Sequence, residues 1–362
     1  MKRNFFLFVF ATLQAILISC NSNPTEAPFE PYNPDFVWTA DTIAYPNEFQ
    51  TIMYSIWGNS PTNLYMVGHC TASKGVMWHY DGNSWQPVNL FKDIAQSSIT
   101  LYAITGSSGY NMWAVGSRNI GFENDQLIAK SLIIRFDGFN WNEITNSGTS
   151  PLRNIWMENE SSYWIGGYTN PINILNNSEH IYKVRDSFPY LEGYHLAGIG
   201  KINDEYVAIA ERWTDNGHTQ VVYDYRKKED QDNFVCRDSF VVNSSNWNYK
   251  WGEYGLLTVN NKLFSYGSDG VFEWTVNKWQ KKKETGFNIY GMFALNDKEI
   301  FAYGDNSLIY FFDGTNWQQI NSLQTPGIVY WAVWSNGKDV FVVGSFNENG
   351  ADKTIVWRGK KR

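Results

Sequence analysis

Cysteine and positive charge are both scarce in this chain of 362 residues. Its three cysteines and five histidines show none of the spacings that zinc ligands follow, and no calcium-loop pattern is present. The sequence therefore predicts neither a metal site nor a bound cofactor. Acidic side chains outnumber basic ones by 36 to 29, for a formal charge of −7. Because nucleic-acid binding needs a basic surface, this balance argues against a nucleic-acid partner.

The common catalytic motifs are also missing. The sequence has no Gly-x-Ser-x-Gly elbow, no phosphate-binding loop and no dinucleotide fingerprint. One enzyme class stays open, the glycosidases, because their two carboxylates come from distant positions in the sequence. We therefore predict no individual catalytic residue, and we keep enzymatic activity as an alternative.

Only one long hydrophobic run occurs, and it lies at the start of the chain. Lys2 and Arg3 precede an apolar stretch over residues 5–18, which is too short for a comfortable membrane span and has the form of an export signal. The stretch ends in Leu17-Ile18-Ser19-Cys20. After residue 20 nothing approaches the length of a transmembrane helix.

These four residues resemble the lipobox of bacterial lipoproteins. The resemblance implies that Cys20 is diacylated, that the chain is cut before it, and that the new amino terminus is acylated as well. Each buried methylene contributes about 0.8 kcal/mol, so such chains hold a protein on a bilayer. Asn21 follows in place of an inner-membrane retention aspartate, which favours the outer membrane. The alternative is an ordinary cleaved signal peptide in which the cysteine is incidental.

The mature chain divides into a tether and one large domain. Residues 21–34 contain four prolines among polar residues and predict an extended tether, and residues 35–362 form the domain. Aromatic residues make up 17% of the chain, an enrichment typical of all-β repeat proteins. Helical periodicity is absent. Cys70 and Cys236 fall in distant repeats and are expected to be separate, mostly buried thiols.

A hairpin motif recurs three times, at residues 78–85, 134–141 and 310–317. Each copy is an apolar strand, an Asp-Gly pair and a second strand that begins with tryptophan. Asp-Gly favours a tight turn with positive φ at both central residues. Asp81, Asp137 and Asp313 are therefore interpreted as turn residues.

A second pair of strands recurs seven times, at intervals of about 35–55 residues, the period of propeller blades. The pairs lie at residues 54–57 and 64–68, 102–105 and 112–116, 154–156 and 163–166, 196–199 and 206–209, 256–259 and 263–267, 290–293 and 300–304, and 331–334 and 340–344.

The repeats predict an all-β fold, a single β-propeller of seven four-stranded blades, with six or eight as the alternatives. The last copy has only three strands, the third at residues 354–358, so we expect a strand at residues 36–43 to complete it and close the ring. The chain resembles a broad group of secreted bacterial propellers with Trp-Ala-Val-Gly strands and Tyr-Asp-Gly-x-x-Trp hairpins. This resemblance spans residues 36–358 and bears on the fold, because propellers host many functions.

Loop lengths single out one face of the predicted wheel. The connections between second and third strands are long at residues 117–130, 168–179, 211–218 and 345–352, and variable loops on a rigid scaffold commonly carry binding sites. Aromatic and amide side chains there suit carbohydrate or peptide ligands. The candidate ligand-binding residues are Arg118, Phe122, Glu123, Asp125, Tyr168, Asn170, Trp213, Asp215, His218 and Phe346.

The leading hypothesis is an envelope-anchored, non-enzymatic binding or scaffolding propeller that recognises a glycan, a peptide or an envelope protein through this face. The first alternative is a carbohydrate-active enzyme with its site at the mouth of the central channel. That alternative predicts convergent carboxylates or arginines on the inner strands. A further alternative is an assembly component that docks to envelope proteins through its flat face and binds no small molecule.

Overall fold

The computed structural model describes residues 36–72, 74–90, 98–123, 126–144, 150–167, 172–176, 182–185, 195–214, 217–229 and 234–362. The predicted export signal, Cys20 and the tether lie outside these residues. No helix that the structure describes is long and apolar enough to cross a membrane.

The described residues form seven antiparallel sheets of four strands each. Blade 1 contains β2 (Thr51–Ser60), β3 (Asn63–Cys70), β4 (Met77–Tyr80) and β5 (Trp85–Pro87). Blade 2 contains β6 (Ser98–Ser108), β7 (Asn111–Glu123), β8 (Gln126–Phe136) and β9 (Trp141–Glu143). Blade 3 contains β10 (Leu152–Asn159), β11 (Ser162–Gly167), β12 (Ile172–Asn176) and β13 (Tyr182–Arg185). Blade 4 contains β14 (His195–Ile202), β15 (Glu205–Thr214), β16 (Thr219–Lys228) and β17 (Val235–Asn243).

The remaining three sheets complete the set. Blade 5 contains β18 (Gly255–Val259), β19 (Lys262–Gly267), β20 (Gly270–Thr275) and β21 (Lys278–Lys283). Blade 6 contains β22 (Ile289–Asn296), β23 (Glu299–Gly304), β24 (Ile309–Phe312) and β25 (Trp317–Gln319). Blade 7 contains β26 (Val329–Ser335), β27 (Asp339–Glu348), β28 (Ala351–Lys361) and, from the other end of the domain, β1 (Phe36–Ile43).

The first strands of the blades form a closed circle. Each contacts the first strand of the next blade, in the order β2, β6, β10, β14, β18, β22, β26 and back to β2. These strands therefore surround a central channel, and the apolar side chains between neighbouring sheets form the core. The β-propeller fold predicted from the repeats is confirmed.

The ring closes where β1 pairs with β28. The antiparallel register runs from Phe36 opposite Lys361 to Ile43 opposite Thr354. A Cβ atom on Gly359 would lie 2.6 Å from the Trp38 ring, so this glycine gives the indole room to cover the sheet. The strand predicted to complete the last blade does so.

The Asp-Gly hairpins are turns held by the aspartate, with a geometry other than the one expected. The Asp81 carboxylate accepts the backbone N–H groups of Asn83 and Ser84 at 2.8 and 2.9 Å, and these hydrogen bonds lower its pKa. Positive φ occurs at Gly82 but not at Asp81. Four residues, 81–84, separate the paired Tyr80 and Trp85, and the expectation of a tight turn with positive φ at both the aspartate and the glycine was wrong. Asp137 and Asp313 accept the equivalent bonds.

Three of the predicted long loops are extended β-hairpins. In blade 2, β7 and β8 stay paired up to Glu123 opposite Gln126, and in blade 4, β15 and β16 end with Thr214 opposite Thr219. In blade 7 the last pair is Glu348 opposite Ala351. Strand pairing satisfies the backbone N–H and C=O groups that a loop would leave to water. In blade 3 the predicted loop at residues 168–179 contains the third strand, β12.

The two cysteines of the domain are both free, as expected, but differ in burial. Cys70 is buried at the end of β3, and Cys236 is exposed. The expectation of two mostly buried thiols was wrong for Cys236 because it lies on β17, the outer strand of blade 4, where most side chains face solvent.

The joint between blades 7 and 1 can be tested at Thr354, whose side chain is fully buried. Its Oγ1 accepts the Met53 N–H at 3.0 Å and donates to the Thr51 carbonyl at 2.7 Å. Thr354→Val keeps the shape but leaves both backbone groups without this partner. We expect a loss of about 1–3 kcal/mol in the free energy of unfolding, measured by denaturant titration. Thr39→Val, at an exposed position of β1, is the matched control and should change stability by less than about 0.5 kcal/mol; equal losses in the two variants would contradict this account of the joint.

Candidate functional site: the mouth of the central channel

A β-bulge lies near the start of the first strand in six blades. Pairing between the first and second strands skips one residue at Tyr54, Tyr102, Arg153, Ala197, Tyr290 and Trp331. In blade 5, Tyr254 holds the matching position just ahead of β18, and its N–H donates to the Tyr266 carbonyl at 2.9 Å. A bulge re-aims its residue away from the sheet. We call these seven residues the collar.

In most blades a glycine of the second strand pairs with the residue just before the bulge, as in Gly116 opposite Leu101 and Gly304 opposite Ile289. A Cβ atom on Gly116 would lie 1.9 Å from the Thr100 carbonyl oxygen, and one on Gly304 would lie 1.9 Å from that of Asn288. No other residue type fits so close to the neighbouring backbone. The glycine therefore marks the bulge in most blades, although blade 4 forms its bulge with Ala210 opposite Leu196.

The collar side chains form a nearly continuous series of ring contacts around the channel. Tyr254 stacks on Tyr290 with ring centroids 5.9 Å apart, and Tyr290 stacks on Trp331 at 5.2 Å. Trp331 meets the edge of Tyr54 at 5.5 Å, and Tyr54 stacks on Tyr102 at 5.7 Å.

The series of contacts ends at Arg153 in blade 3, and blade 4 leaves a gap. The guanidinium carbon of Arg153 lies 3.9 Å from the centre of the Tyr102 ring, a cation–π contact. Blade 4 contributes Ala197, which is buried and has no ring to continue the stack. The collar is thus an aromatic arc over blades 5, 6, 7, 1 and 2 with a cationic end and a gap.

Polar partners fix the aromatic side chains of the arc. Tyr290 donates its hydroxyl to Asp305 Oδ2 at 2.9 Å, and Trp331 donates its indole N–H to Ser345 Oγ at 2.8 Å. Burial raises the pKa of Tyr54, Tyr254 and Tyr290, so these hydroxyls are neutral near pH 7. They can therefore both donate and accept hydrogen bonds.

A polar network of blades 4 and 5 lies next to the gap. His195 Nδ1 is 3.0 Å from Glu211 Oε1, and the Gln220 amide donates to the other oxygen of Glu211. Tyr249 donates its hydroxyl to Gln220 Oε1 at 3.4 Å. Of these, the side chain of Glu211 is 12% exposed and that of His195 20% exposed, so both are largely shielded.

Glu253 immediately precedes the collar residue Tyr254 in blade 5, and its side chain is fully buried. Ser268 donates to its carboxylate through the hydroxyl at 2.5 Å and through the backbone N–H at 3.0 Å. Burial penalises the charged form and raises the pKa of Glu253 to about 7, although the bonds from Ser268 partly oppose this. The carboxyl group therefore changes charge close to neutral pH.

A cleft of about 560 Å³ opens beside the collar at blades 1 and 2. Tyr54 and Tyr102 form one part of its wall, and the rest is mostly polar, with Ala129 and Pro151 as the apolar residues. His69 Nδ1 lies 3.0 Å from Thr100 Oγ1 in that wall. Burial lowers the pKa of His69, so the imidazole is neutral at pH 7. The cleft extends the collar outwards between two blades.

The collar and the predicted loops share one face of the wheel. Each bulge lies at the end of its first strand where the chain enters the blade, and the connections between second and third strands reach that same end. The face chosen from loop length therefore contains the channel mouth. We call it the collar face.

The predicted site residues lie on separate hairpins of this face. Arg118, in β7, forms an ion pair with Glu143, and Phe346, in β27, is half-buried against the core. Trp213 and His218 are exposed at the end of the blade 4 hairpin. Phe122 and Glu123 lie in β7, where the structure describes the backbone alone. Four predicted residues lie outside the described residues: Asp125, Tyr168, Asn170 and Asp215.

The collar was not predicted from the sequence, although a signal was present. A triplet of a large apolar residue, an aromatic residue and a small residue recurs where first strands begin, as in Leu101-Tyr102-Ala103 and Ile289-Tyr290-Gly291. Alternation along a strand assigns such an aromatic residue to one face of the sheet. A bulge breaks that alternation, and it depends on pairing that a single strand does not reveal.

Comparison with known proteins gives the fold and no family. No protein-family model matches the sequence, and no curated protein matches it. A solved structure described as YCF48 bound to a D1 peptide is similar over 91% of this chain and 96% of its own, with a TM-score of 0.59 and 13% identity. The WD40 β-propeller domain of Doa1 is similar over 89% and 96%, with a TM-score of 0.56 and 12% identity. At such low identity these likenesses establish a propeller architecture alone.

The titration of Glu253 should make the free energy of unfolding depend on pH. The pKa of Glu253 is about 7 in the folded protein, against an ordinary value of 4.5. The folded state therefore favours the protonated form. The stabilisation from this group is complete below pH 4.5 and is lost as the pH rises to about 7. At 1.4 kcal/mol per pKa unit, this shift changes the free energy of unfolding by roughly 3 kcal/mol.

Glu253→Gln removes the charge and keeps the shape. We therefore expect the variant to be the more stable protein at pH 8, by up to roughly 3 kcal/mol, with the difference shrinking as the pH falls to 5. Denaturant titrations at several pH values measure this. A constant difference between the two proteins from pH 5 to 8 would refute the assignment.

Proposed function

We propose that the protein is a non-enzymatic binding propeller of the cell envelope, and that it takes a polypeptide ligand, a peptide or an exposed segment of an envelope protein, at the collar. The observation that carries this proposal is the aromatic arc at the mouth of the channel. Aromatic residues and arginine dominate the energetics of protein interfaces, and the collar consists largely of these residue types.

The orientation of the rings favours a polypeptide over a glycan. Sugars bind to the open face of an aromatic ring, whereas the rings of Tyr54 and Tyr102 face each other, and so do those of Tyr290 and Trp331. What remains for a ligand is ring edges and tyrosine hydroxyls. These groups suit the alternating carbonyl and N–H groups of a peptide backbone.

Exposed aromatic residues extend this surface towards the rim of the collar face. Phe49 and Phe287 lie on connections between blades, as does Trp247, and Trp213 lies near the end of a hairpin. All four are strongly exposed, from 46% for Phe287 to 72% for Phe49. These side chains offer further contact area to a polypeptide that extends beyond the collar.

The likeness to the structure described as YCF48 bound to a D1 peptide supports the same choice. In that protein a propeller holds a peptide, and its fold covers almost all of this chain. At 13% identity the likeness carries no information on individual residues, so it supports the class of ligand and nothing finer.

The enzyme alternative receives less support. It requires carboxylates or arginines that a substrate can reach on the inner strands. Of the seven collar positions, one carries an arginine and none a carboxylate. Glu253 is fully buried, and the carboxylate of Glu211 already accepts from His195 and Gln220.

The proposed location is the outer membrane, with the mature chain tethered through a lipid on Cys20. The export signal, the lipobox-like residues and the proline-rich segment at residues 21–34 support this part of the proposal. A tether of some 14 residues lets the propeller approach partners in the envelope without a membrane span of its own.

The binding role is tested by removing rings from the arc. In Tyr102→Ala with Trp331→Ala, the bulges should form as before, because blade 4 already carries alanine at the matching position. The ligand is a protease-sensitive polypeptide that the intact protein captures from envelope extract. We expect the double variant to bind it with at least about tenfold lower affinity, because each truncation removes about 1–2 kcal/mol of interface contact. Crosslinked capture and mass spectrometry identify the ligand, and a purified copy of it gives the affinity.

Two exposed aromatic residues of the opposite face supply the control. Tyr110→Ser with Phe139→Ser changes side chains that are 73% and 85% exposed. This variant should bind as the intact protein does. Equal losses in the two variants, or binding that survives protease but not glycosidase treatment of the extract, would contradict a polypeptide ligand at the collar.

The lipid anchor is tested at Cys20. Cells fed an alkynyl fatty acid should label the intact protein, and Cys20→Ser should abolish the label and release the protein from the membrane fraction. Cys70→Ser and Cys236→Ser should leave the label unchanged. Labelling that persists without the Cys20 thiol would show that the chain is not anchored there.

A further inference from the structure

Blade 5 departs from the other six blades at the residue that precedes the collar. In the other blades this residue is large and apolar, and it packs into the core. The six residues are Met53, Leu101, Leu152, Leu196, Ile289 and Tyr330, all almost fully buried. In blade 5 it is Glu253, with the same burial. A carboxyl group in such a position is costly, so its presence calls for a specific role.

The surroundings of Glu253 are built for the carboxyl group. A Cβ atom on Gly267 would lie 2.0 Å from Glu253 Oε2, so only glycine leaves space for the side chain. Ser268 follows at once and donates its backbone N–H and its hydroxyl to Glu253. The connection between β19 and β20 is short, and it holds this serine in place.

Ser268 links the buried carboxyl group to the collar. Its Oγ lies 2.5 Å from Glu253 Oε1 and 3.0 Å from the hydroxyl oxygen of Tyr254. The Tyr254 hydroxyl also lies 3.5 Å from Asn288 Oδ1. A serine hydroxyl has one hydrogen, so Ser268 can donate to Glu253 or to Tyr254 but not to both.

We propose that Glu253 is a specificity-determining residue that acts through Ser268, and that its protonation state decides whether the Tyr254 hydroxyl offers the ligand a hydrogen or a lone pair. The inference rests on the proposed binding role of the collar and names the regulation of that site. Glu253 itself touches no ligand; it is a positioning residue.

The two states differ by one proton and the direction of two hydrogen bonds. With Glu253 ionised, Ser268 donates to the carboxylate and accepts the hydrogen of Tyr254, which leaves the tyrosine oxygen as an acceptor. With Glu253 protonated, the carboxyl group donates to Ser268, and Ser268 donates to Tyr254. The Tyr254 hydrogen is then released towards Asn288 or a ligand carbonyl.

The other ionisable groups near Glu253 set where this change occurs. Glu211 of β15 disfavours the ionised form through its negative charge, and Tyr249 and Tyr254 stay neutral because burial raises the pKa of both. Asp269, next to Ser268, forms an ion pair with Lys281 at 2.5 Å. His195 is paired with Glu211. None of these places a compensating positive charge directly on Glu253, so the change falls near neutral pH.

The direction of the effect on binding follows from the two states. A ligand that presents a carbonyl oxygen to Tyr254 gains a donor at low pH, and a ligand that presents an N–H gains an acceptor at high pH. The collar therefore changes its preferred partner group across neutral pH while its aromatic arc stays as it is.

The test uses the full chain with ¹³Cζ-labelled tyrosine and needs no ligand. The ¹³Cζ shift reports the hydrogen bonding of a tyrosine hydroxyl, and Tyr254→Phe identifies the signal. We expect the Tyr254 signal to move with a midpoint near pH 7 in the intact protein. In Glu253→Gln, whose amide donates to Ser268 as the protonated acid does, the signal should keep its low-pH position from pH 5 to 9.

Glu211→Gln is the matched control, since it removes a neighbouring charge but not the switch. The step should persist there with its midpoint moved to lower pH. A Tyr254 signal that does not move between pH 5 and 9, or one that still moves in Glu253→Gln, would overturn the inference. These readouts are independent of capture by the collar, so the switch and the binding role fail separately.

Discussion

Closure of the ring by β1 is the constraint on which the rest of the structure depends. A row of seven sheets would leave its two terminal blades with one uncovered face each and with an open edge. Because β1 pairs with β28, the final sheet draws strands from both ends of the domain, and β26 lies against β2. Every first strand then has a neighbour on both sides. The channel, its mouth and the collar exist only in this closed arrangement.

Features that depend on local chemistry were predictable from the sequence. The positions of the Asp-Gly turns, the seven strand pairs and the strand at residues 36–43 follow from turn preferences and alternation, and the structure confirms them, although the turn geometry differs from the expected one. The extended hairpins were not predictable, because residues 117–130 lack a clear alternation and their pairing is decided by the partner strand. The collar was missed for a related reason. A bulge is a property of two strands, and the sequence shows its consequence, a glycine such as Gly116, on the opposite one.

The asymmetry of the collar gives a repeated fold a specific site. The blades share one plan, yet their collar residues differ: five are aromatic, one is Arg153 and one is Ala197. The interruption at Ala197 adjoins the network of His195, Glu211 and Gln220, and Glu253 lies one blade further on. Polar and ionisable groups are thus concentrated beside the single gap in the aromatic arc. A symmetric wheel would have no such preferred direction for a ligand.

Hydrogen exchange across the closing sheet tests this account most directly. Mass spectrometry of peptides from residues 36–43 and 354–361 of the intact protein reports whether the two strands are paired. The closed ring predicts slow exchange in both peptides, with protection in the first lost only when the domain unfolds. Exchange of residues 36–43 at the rate of an unstructured chain, while the other blades remain protected, would contradict closure and with it the collar.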